Sequence, residues 1–447
     1  MKPALAMRWM STNHAGGAAA WPPSFREVPP HPSTQLRLMI RRNVHLFTLL
    51  LLTTAHAANA SPSNNLAAAV MQAPAVTAAR LRMESAESRE SSAGPFADPQ
   101  LGGSYNRKQT PDEENPVWDV SLEQPLPKAG ERAADRQRAA AAADMARAEL
   151  FRMAGDVAAQ AAMQLVEAET ARHHLGLTAD LLARMEQVLT TLDTRIATGQ
   201  GRIAERLTLQ TRIASTRLMA ARDEQSAFDA ESDARAQLGL AETAPLPDFS
   251  APRTNDIAPD QTPAVHLAEA REDEASAMAA MARASRWPMT SVGLQFERDA
   301  MDAGNEDMLG LAFMTELPWH SRHVARADLA AARSEQDASR ADGDAARQEL
   351  ATLVSRVARA EFLANTARHL ASETESRLDA EYDSLLRNAG TASMGDELPL
   401  LMLLDVLEKQ TEIRKQVVEA EGAARVARAA LWRHAPERQF TTDGASP

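Results

Sequence analysis

The first pattern along this chain is a strict alternation of apolar and polar residues over short stretches. In residues 117–126, Trp118, Val120 and Leu122 fall on one face, and polar residues fall on the other. A period of two is typical of a β-strand with one apolar and one polar face. Residues 291–296 and 309–314 show the same alternation, and residues 100–105 complete a set of four predicted strands.

Long segments between the strands have apolar residues at steps of three and four, as in Leu182, Met185 and Leu189. Two of these segments, about 128–198 and about 319–389, are alanine-rich and are predicted to be helices. At 1.5 Å per residue each helix would be about 105 Å long, several times the width of a globular domain. Narrow alanine and leucine seams are typical of coiled coils. The shorter predicted helices, which would stack along the long ones, are residues 66–93, 202–240, 264–286 and 400–434.

The order of strands and helices occurs twice. Leu126 matches Leu317, each followed by proline, and Gly199 matches Gly390, all at a spacing of 191 residues. Past the glycine the spacing becomes 200, which places nine extra residues after Gly390. We therefore predict two structural repeats, in which the chain turns from a long helix into a shorter one at residues 199–201 and at residues 390–399.

A targeting segment precedes the first predicted helix. Met39 opens a basic region, residues 44–52 form an apolar core, and a small-x-small cleavage site ends at Ala60. This order predicts a secretory signal peptide over residues 39–60. The alternative is a membrane anchor, but the core is far shorter than the ~20 residues that cross a bilayer as a helix. Residues 1–38 are proline-rich and unpatterned, and we interpret them as a mis-assigned start or a disordered extension.

The composition divides the chain into segments. Between the repeats lies a proline-rich stretch that we expect to be a linker without helix. The last residues are polar, and we expect them to be disordered. In chain order the predicted segments are the extension (1–38), the signal peptide (39–60), the first repeat (61–240), the linker (241–263), the second repeat (264–434) and the tail (435–447).

Charge and composition exclude several classes of function. The net charge of −13 disfavours nucleic acid as a partner. The chain has no cysteine, which excludes disulfides, thiol catalysis and a lipid on an N-terminal cysteine. It also has no glycine-rich phosphate loop, nucleophile elbow or zinc-protease histidine pair. We therefore expect neither an enzyme nor a cofactor.

Histidines and methionines are the residues to test for a metal site. His320 and His323 are three apart at the start of a helix, but two ligands make no site, and the adjacent His173 and His174 face different ways. A dense group of methionines suggests soft-metal contacts, although its spacing follows no ligand rule and favours packing. We expect no metal site. The methionines are Met278, Met281, Met289, Met301, Met308 and Met314.

Four strands are too few to close a barrel. Apart from residues 44–52, no apolar run approaches the length of a membrane-crossing helix, so a membrane-resident mature chain would enter the membrane through its strands. Open strand edges are not tolerated in lipid. The strands would therefore be shared among several copies of the chain.

Taken together, these features resemble the TolC family of outer-membrane efflux channels. Residues 117–130 read VWDVSLEQPLPKAG, similar to the heavy-metal, CzcC-like branch, in which a barrel strand runs through a Pro-Leu-Pro corner into Gly and a basic residue. Residues 404–408, LDVLE, resemble the Asp-Val-Leu-Asp stretch at the periplasmic tip of TolC itself. The resemblance covers nearly the whole mature chain.

The resemblance implies a mainly α fold with a small β part. Long antiparallel coiled-coil helices would form an α-barrel, and four strands per chain would enter a shared, trimeric, 12-stranded transmembrane β-barrel. The protein would be a homotrimer in the outer membrane of a Gram-negative bacterium, in contact with its lipid and extending into the periplasm. It would act as the passive conduit of a tripartite efflux system, joined to a periplasmic adaptor and an inner-membrane pump, with heavy-metal cations as the favoured substrate.

The resemblance also implies roles for individual residues. Asp405 and Glu408, with Glu205 at the matching place in the first repeat, would form the channel constriction. Because Asp405 and Glu408 lie three apart on a helix, three copies would form carboxylate rings that favour cations. The alternative is an ordinary solvated coiled-coil face. The adaptor-facing helix turns would be formed by Arg195, Gly199, Gly201, Arg387 and Gly390.

The alternative hypothesis is a protein that does not reside in a membrane. A soluble periplasmic coiled-coil adaptor or structural spacer would also have a signal peptide and long helices. The four amphipathic strands count against it, since a spacer has no need of them.

Overall fold

The computed structural model describes residues 65–109, 114–199, 201–301, 304–316, 319, 321–391 and 399–441. The predicted extension and signal peptide lie outside this part of the chain and stay predictions. Strands and helices follow one another in the predicted order. The α-helices are α1 (Leu66–Gln72), α2 (Pro74–Ser91), α3 (Glu131–Ala197), α4 (Ile203–Leu238), α5 (Pro263–Ala284), α6 (Ser321–Thr391), α7 (Pro399–Ala429) and α8 (Arg438–Thr441).

One antiparallel sheet contains β1 (Gln100–Gln109), β2 (Glu114–Leu126), β3 (Thr290–Met301) and β4 (Gly304–Thr315). The strand order is β1-β2-β3-β4, so β2 and β3 pair across the two repeats. The four predicted strands are confirmed, and each extends further than its predicted core. The one long connection between strands, from β2 to β3, is largely helical, as the switch from period two to period 3.6 predicts.

The register of the sheet places most of the large apolar residues of the four strands on one face. Val120 lies opposite Phe296, and Leu294 lies between Leu122 and Leu311. These side chains are exposed, and Leu311 has 82% of its surface accessible. Single exposed apolar residues are ordinary, but a contiguous apolar face of this extent marks a contact with another protein or a membrane. The exposed face also includes Leu101, Tyr105, Trp118, Leu309 and Phe313.

The long helix α3 starts at a defined cap. Gly130 has a φ of 84°, and the Glu131 carboxylate accepts the backbone N–H of Lys128 at 2.7 Å. The helix then runs without a break for 67 residues. Helices α2 and α4 pack along it, and α5 and α7 pack along α6, which confirms the predicted stacking of short helices on long ones. Helices α5 and α7 also contact α3 and so join the two repeats.

The largest apolar core is built from small residues. Ala154, Ala158 and Ala161 of α3 are fully buried against Leu66 and Val70 of α1. Because the methyl group of alanine is small, the backbones of neighbouring helices can approach closely. Removing a side chain from such a core loses packing contacts, and enlarging one forces the helices apart. The low aromatic content of 4% therefore fits this type of core. Within the described residues, no helix is both long and apolar enough to cross a bilayer.

Two helix boundaries differ from the prediction. Residues 66–93 form two helices, because Pro74 has no N–H to continue α1 and instead begins α2. The long helix predicted to end near residue 389 runs through Gly390 to Thr391, and the next helix, α7, begins at Pro399. Glycine inside a helix costs about 1 kcal/mol, which one residue in a long helix easily tolerates. Most of the predicted insertion, residues 392–398, lies outside the described residues.

The predicted tail was also wrong over part of its length. Residues 438–441 form α8, and Phe440 is buried with its ring 5.5 Å from that of Trp432. Burial of these aromatic rings holds the segment on the helices. In the linker, residues 241–262 contain only 3-10 turns as helical structure, and α5 begins at Pro263 because proline is favoured at the first helical position.

Candidate functional site at the helix turns

The turn between α3 and α4 depends on two glycines. Gly199 follows the end of α3 with a φ of 76°, a left-handed conformation that glycine adopts without steric cost. A Cβ on Gly201 would lie 2.7 Å from a side-chain carbon of Ile196, so the close approach also requires glycine. The predicted turn at Gly199 and Gly201 is confirmed. Arg195 lies in the last turn of α3, where a cation favours the negative end of the helix dipole.

An apolar cluster near this turn brings the two repeats together. Leu404 and Leu407 of α7 are buried against Met185 of α3 and against Leu209 and Ile213 of α4. Side chains of α6, including Leu385, pack on its edge. The contact holds the last turns of α3 and the first turns of α4 and α7 as one packed unit.

Asp405 and Glu408 lie on the surface of this cluster and share one partner. The Arg212 Nη1 atom donates to Asp405 Oδ1 at 2.7 Å and to Glu408 Oε2 at 3.1 Å. Each side chain keeps part of its surface accessible, with exposures of 32% for Arg212, 52% for Asp405 and 38% for Glu408. The hydrogen bond to Asp405 raises the pKa of Arg212 above its usual range. The predicted carboxylate pair is therefore on one face, but it forms a bridge from α7 to α4.

A second contact joins the same two helices further from the turn. Lys415 Nζ of α7 lies 3.7 Å from Asp223 Oδ2 of α4, and both side chains are about four-fifths buried. The Asp223 carboxylate also accepts the hydroxyl of Thr178 at 3.2 Å. Partial burial reduces the screening of this pair by solvent. Charged side chains therefore connect α4 and α7 at two positions along these helices.

Glu205 has a different environment from the other two predicted carboxylates. It lies in the first turn of α4, where a negative charge is stabilised by the N–H groups at the start of the helix. The neighbouring Arg206 pairs with Asp193 of α3 at 2.8 Å and fixes the turn. The hydrogen bonds of Arg212 go to Asp405 and Glu408, so the structure brings together two of the three predicted constriction residues.

The second predicted turn is only partly described. Arg387 and Gly390 lie in the last turns of α6, and α7 begins at Pro399. The residues between Thr391 and Pro399, where the chain passes from α6 to α7, lie outside the described residues. The roles of Arg387 and Gly390 in a turn contact stay predictions.

Sequence reasoning missed Arg212, although a signal was available. The two repeats read QTRI at residues 210–213 and QTEI at residues 410–413. Arg212 therefore corresponds to Glu412, which has the opposite charge, in the matching repeat. A charge reversal inside an otherwise repeated motif breaks the symmetry of the two halves.

The candidate metal ligands do not converge. His323 is exposed, His320 lies outside the described residues, and the His173 Nε2 atom is 3.7 Å from Glu169. Across the described ranges, no group of three or more histidine or carboxylate side chains is placed to hold a metal ion. Two of the six methionines, Met278 and Met281, line a cavity between helices.

Comparisons with known proteins identify the fold. No protein-family model matches the sequence, and no curated protein matches it. Several solved structures match most of the chain. The outer-membrane channel OprN has a TM-score of 0.64 at 16% identity over 83% of this chain and 88% of its own. CusC, described in terms of transmembrane channel formation, has a TM-score of 0.62 at 17% identity over 85% of this chain and 94% of its own.

A third solved structure gives the same result. The outer-membrane protein VceC of Vibrio cholerae has a TM-score of 0.62 at 14% identity over 82% of this chain and 95% of its own. The structural neighbours are TolC-family outer-membrane channels, and this chain has their fold. At such low identities the likeness establishes the fold, while function depends on the site.

Proposed function

We propose that the chain is an outer-membrane channel of the TolC type. The observation that supports this best is the exposed apolar face that runs across β1 to β4. The opposite face of the inner strands is polar, and Gln295 donates a hydrogen bond to Asp119 across it. A sheet that is apolar outside and polar inside is the pattern of strands that face lipid on one side and a water-filled lumen on the other. A soluble spacer would leave this face in water.

In this proposal three chains share their strands and helices. The sheet has two free edges, β1 and β4, and joining these edges between copies would satisfy the backbone groups that lipid cannot. The long helices would continue the passage into the periplasm. The turn at Gly199 and Gly201, with Arg195 beside it, would meet a periplasmic adaptor, and Arg387 and Gly390 would belong to the second such contact.

The proposed constriction is the charge group formed by Arg212, Asp405 and Glu408. One guanidinium offsets one of the two carboxylates, so each chain contributes a net charge of −1 from these residues. Three copies around a narrow passage would still favour cations. Glu205 would add to this field from the first turn of α4. Heavy-metal cations are the substrate that we propose, on the resemblance of residues 117–130 to the CzcC-like branch.

A charge on the apolar face tests the channel proposal. We expect the wild-type chain to be in the outer-membrane fraction and to conduct ions in planar bilayers. Leu311→Arg should prevent stable insertion, because arginine at the midplane of a barrel costs about 2–4 kcal/mol. Gln295→Arg is the matched control, since it places the same charge on the opposite face.

Two results would contradict the proposal. One is a wild-type chain that is free in the periplasm, which would favour the spacer. The other is equal insertion of the Leu311→Arg and control chains. The substrate is tested separately by growth of a deletion strain on zinc, cobalt and cadmium salts against growth on organic drugs. Sensitivity to drugs alone would reject heavy metals and leave the channel proposal intact.

A further inference from the structure

A cavity of about 690 Å³ lies between α3, α5 and α6. Helices α3 and α6 begin, and α5 ends, just outside the sheet, and the cavity is formed by these helix ends. Its volume is in the range of pockets that hold drug-sized molecules, about 300–1,000 Å³. It is separate from the charge group at the helix turns, which involves α4 and α7.

The floor of the cavity is apolar. Met278 and Met281 lie three apart on α5 and so share one face, and Met145 of α3 joins them. Between the thioethers lie methyl groups, including those of Ala282 and Ala332, both of which are buried. Methionine side chains are flexible and polarisable, so such a floor can adapt to ligands of irregular shape.

The cavity also has an excess of negative charge. Four carboxylates line it, against the two cations Lys128 and Arg271. The Arg271 guanidinium lies 3.6 Å from the carboxylate of Asp342, which takes up part of its positive charge. The four carboxylates are Glu131, Glu274, Asp328 and Glu335.

The carboxylates are distributed around the cavity. They come from three different helices, and the described residues contain no carboxylate or histidine group close enough to hold a metal ion. Separated negative charges around an apolar floor complement a large ion whose positive charge is spread over an organic frame. A metal ion needs several ligands within about 2.5 Å of one point.

We propose that this cavity binds hydrophobic organic cations of drug size. The floor formed by Met145, Met278 and Met281 contacts the apolar body of the ligand, and the carboxylates select its charge. This inference goes beyond the proposed channel function and does not depend on conduction, since it concerns binding to the isolated protein.

Two ions of the same shape and opposite charge test the proposal. Tetraphenylphosphonium and tetraphenylborate are titrated by calorimetry into the full chain, purified in a non-ionic detergent. We expect one tetraphenylphosphonium per chain, with a dissociation constant on the order of 10 µM, and much weaker binding of tetraphenylborate. Equal affinity for the two ions would overturn the proposal, because it would show that charge plays no part.

Substitutions in and beside the cavity test whether the ligand binds there. Glu274→Gln with Glu335→Gln should weaken tetraphenylphosphonium binding about tenfold, while Glu87→Gln with Glu90→Gln, exposed on α2, should leave it unchanged. Ala331→Trp, which fills the cavity from an exposed position, should abolish binding, and Ala330→Trp beside it should not. Binding that survives Ala331→Trp would place the ligand elsewhere and reject this site.

A third pair of substitutions tests the role of the methionines. Met278→Leu with Met281→Leu keeps the floor apolar and removes two sulfur atoms. We expect tetraphenylphosphonium affinity to stay within about tenfold, since the swap conserves the volume and the apolar character of the floor. A loss of tetraphenylphosphonium affinity above tenfold would show that the sulfur atoms, and not the apolar surface of the floor, hold the ligand, and it would overturn the proposal.

Discussion

Arg212 determines what the two carboxylates near the turn can do. Without it, Asp405 and Glu408 would repel each other on one helix face and add two negative charges to any passage. With it, the three side chains form a bridge between α4 and α7 whose net charge is −1. The same contact therefore has a structural and an electrostatic consequence, and substitutions separate them.

We predict that Asp405→Asn with Glu408→Gln lowers the selectivity of the channel for cations over anions. The substitutions leave Arg212 without an anionic partner in this group, so its net charge changes from −1 to +1 per chain. The measured quantity is the reversal potential of the reconstituted channel under a salt gradient. Arg212→Gln should change the potential in the opposite direction, because it leaves both carboxylates uncompensated.

The control for this prediction is Glu224→Gln with Asp233→Asn, which removes one carboxylate of each type from exposed positions of α4. It should leave the reversal potential unchanged. Equal potentials in wild type and in the Asp405 and Glu408 variant would mean that these carboxylates are ordinary solvated charges, as on any coiled-coil face.

His434 is a second residue whose environment leads to a testable prediction. Its side chain is 4% exposed, and its Nδ1 atom has no hydrogen-bond partner among the described residues. Burial lowers the pKa of His434 below the ordinary value of 6.5, and Arg433 lowers it further, while Glu349 and Asp156 act in the opposite direction. Above pH 6.5 the ring is therefore mainly neutral in the folded protein.

We predict that His434 makes the fold sensitive to acid. Because its pKa is lower in the folded than in the unfolded state, its contribution to stability is complete above pH 6.5 and is lost as the pH falls below that value. His434→Leu removes the titrating ring and keeps the site filled. Thermal unfolding of this variant should depend less on pH between about 7 and 5 than that of the wild type.

His173→Asn is the control for the acid prediction, since the His173 side chain is 62% exposed. It should retain the pH dependence of the wild type. If His434→Leu also retains that dependence, the acid sensitivity comes from other groups.

At the scale of elements, the close contact of α3 with the segment after α7 depends on Gly155. A Cβ at this position would lie 2.6 Å from the carbonyl oxygen of Trp432 and 3.2 Å from the Cα of Arg433. Both are backbone atoms, which cannot move aside as a flexible side chain does. Gly176 lies on the same helix, and a Cβ there would have no atom within 4 Å.

We predict opposite effects of the same substitution at these two glycines. Gly155→Ala should destabilise the protein by about 1–3 kcal/mol, because overpacking forces the 3-10 turn at residues 430–434 away from α3. Gly176→Ala should stabilise it by up to about 1 kcal/mol through helix propensity. Thermal unfolding of the two variants measures the difference. Similar midpoints would show that the contact at Gly155 relaxes without cost.

At the scale of the whole molecule, the free edges β1 and β4 lead to a prediction about assembly. We expect three chains in a ring, with β1 of one chain beside β4 of the next, because such a head-to-tail contact closes on itself. The chain has no cysteine, so Ser104→Cys in β1 and Gly310→Cys in β4, whose side chains lie on the same face of the sheet, introduce unique thiols. A short thiol cross-linker should then link three chains of the double variant in detergent.

Each single-cysteine variant is a control, because in a head-to-tail ring like edges do not meet. A single-cysteine variant should therefore give no cross-linked chains. A dimer as the largest product of the double variant, or efficient linking by either single variant, would contradict the shared ring.

The sequence by itself determined the elements and their order. Strict alternation at Trp118, Val120 and Leu122 indicates a strand with one apolar face, because the side-chain period of a strand is two. Alanine and leucine at helical spacing indicate long rods, and Gly199 indicates a turn, because few other residues adopt its conformation. These are local effects, and the structure confirms them.

Boundaries were predictable only where a local signal was strong enough to end an element. Pro74 divides a helix because it lacks an N–H, and this signal was in the sequence but was missed. Gly390 does not itself end α6, which continues to Thr391, because the cost of one glycine inside a helix is small. The segment near Phe440 is ordered by its contact with Trp432, which the composition of the tail does not show.

Only the tertiary structure decided which distant residues meet. Arg212 and Asp405 are 193 residues apart, and their contact depends on how α4 and α7 pack against α3. The cavity at Met145, Met278 and Met281 likewise arises where α3 of the first repeat meets α5 and α6 of the second. Periodicity states which face of each helix is apolar, but it does not state which helices those faces meet. That choice is made by the fit of side chains in the packed interior.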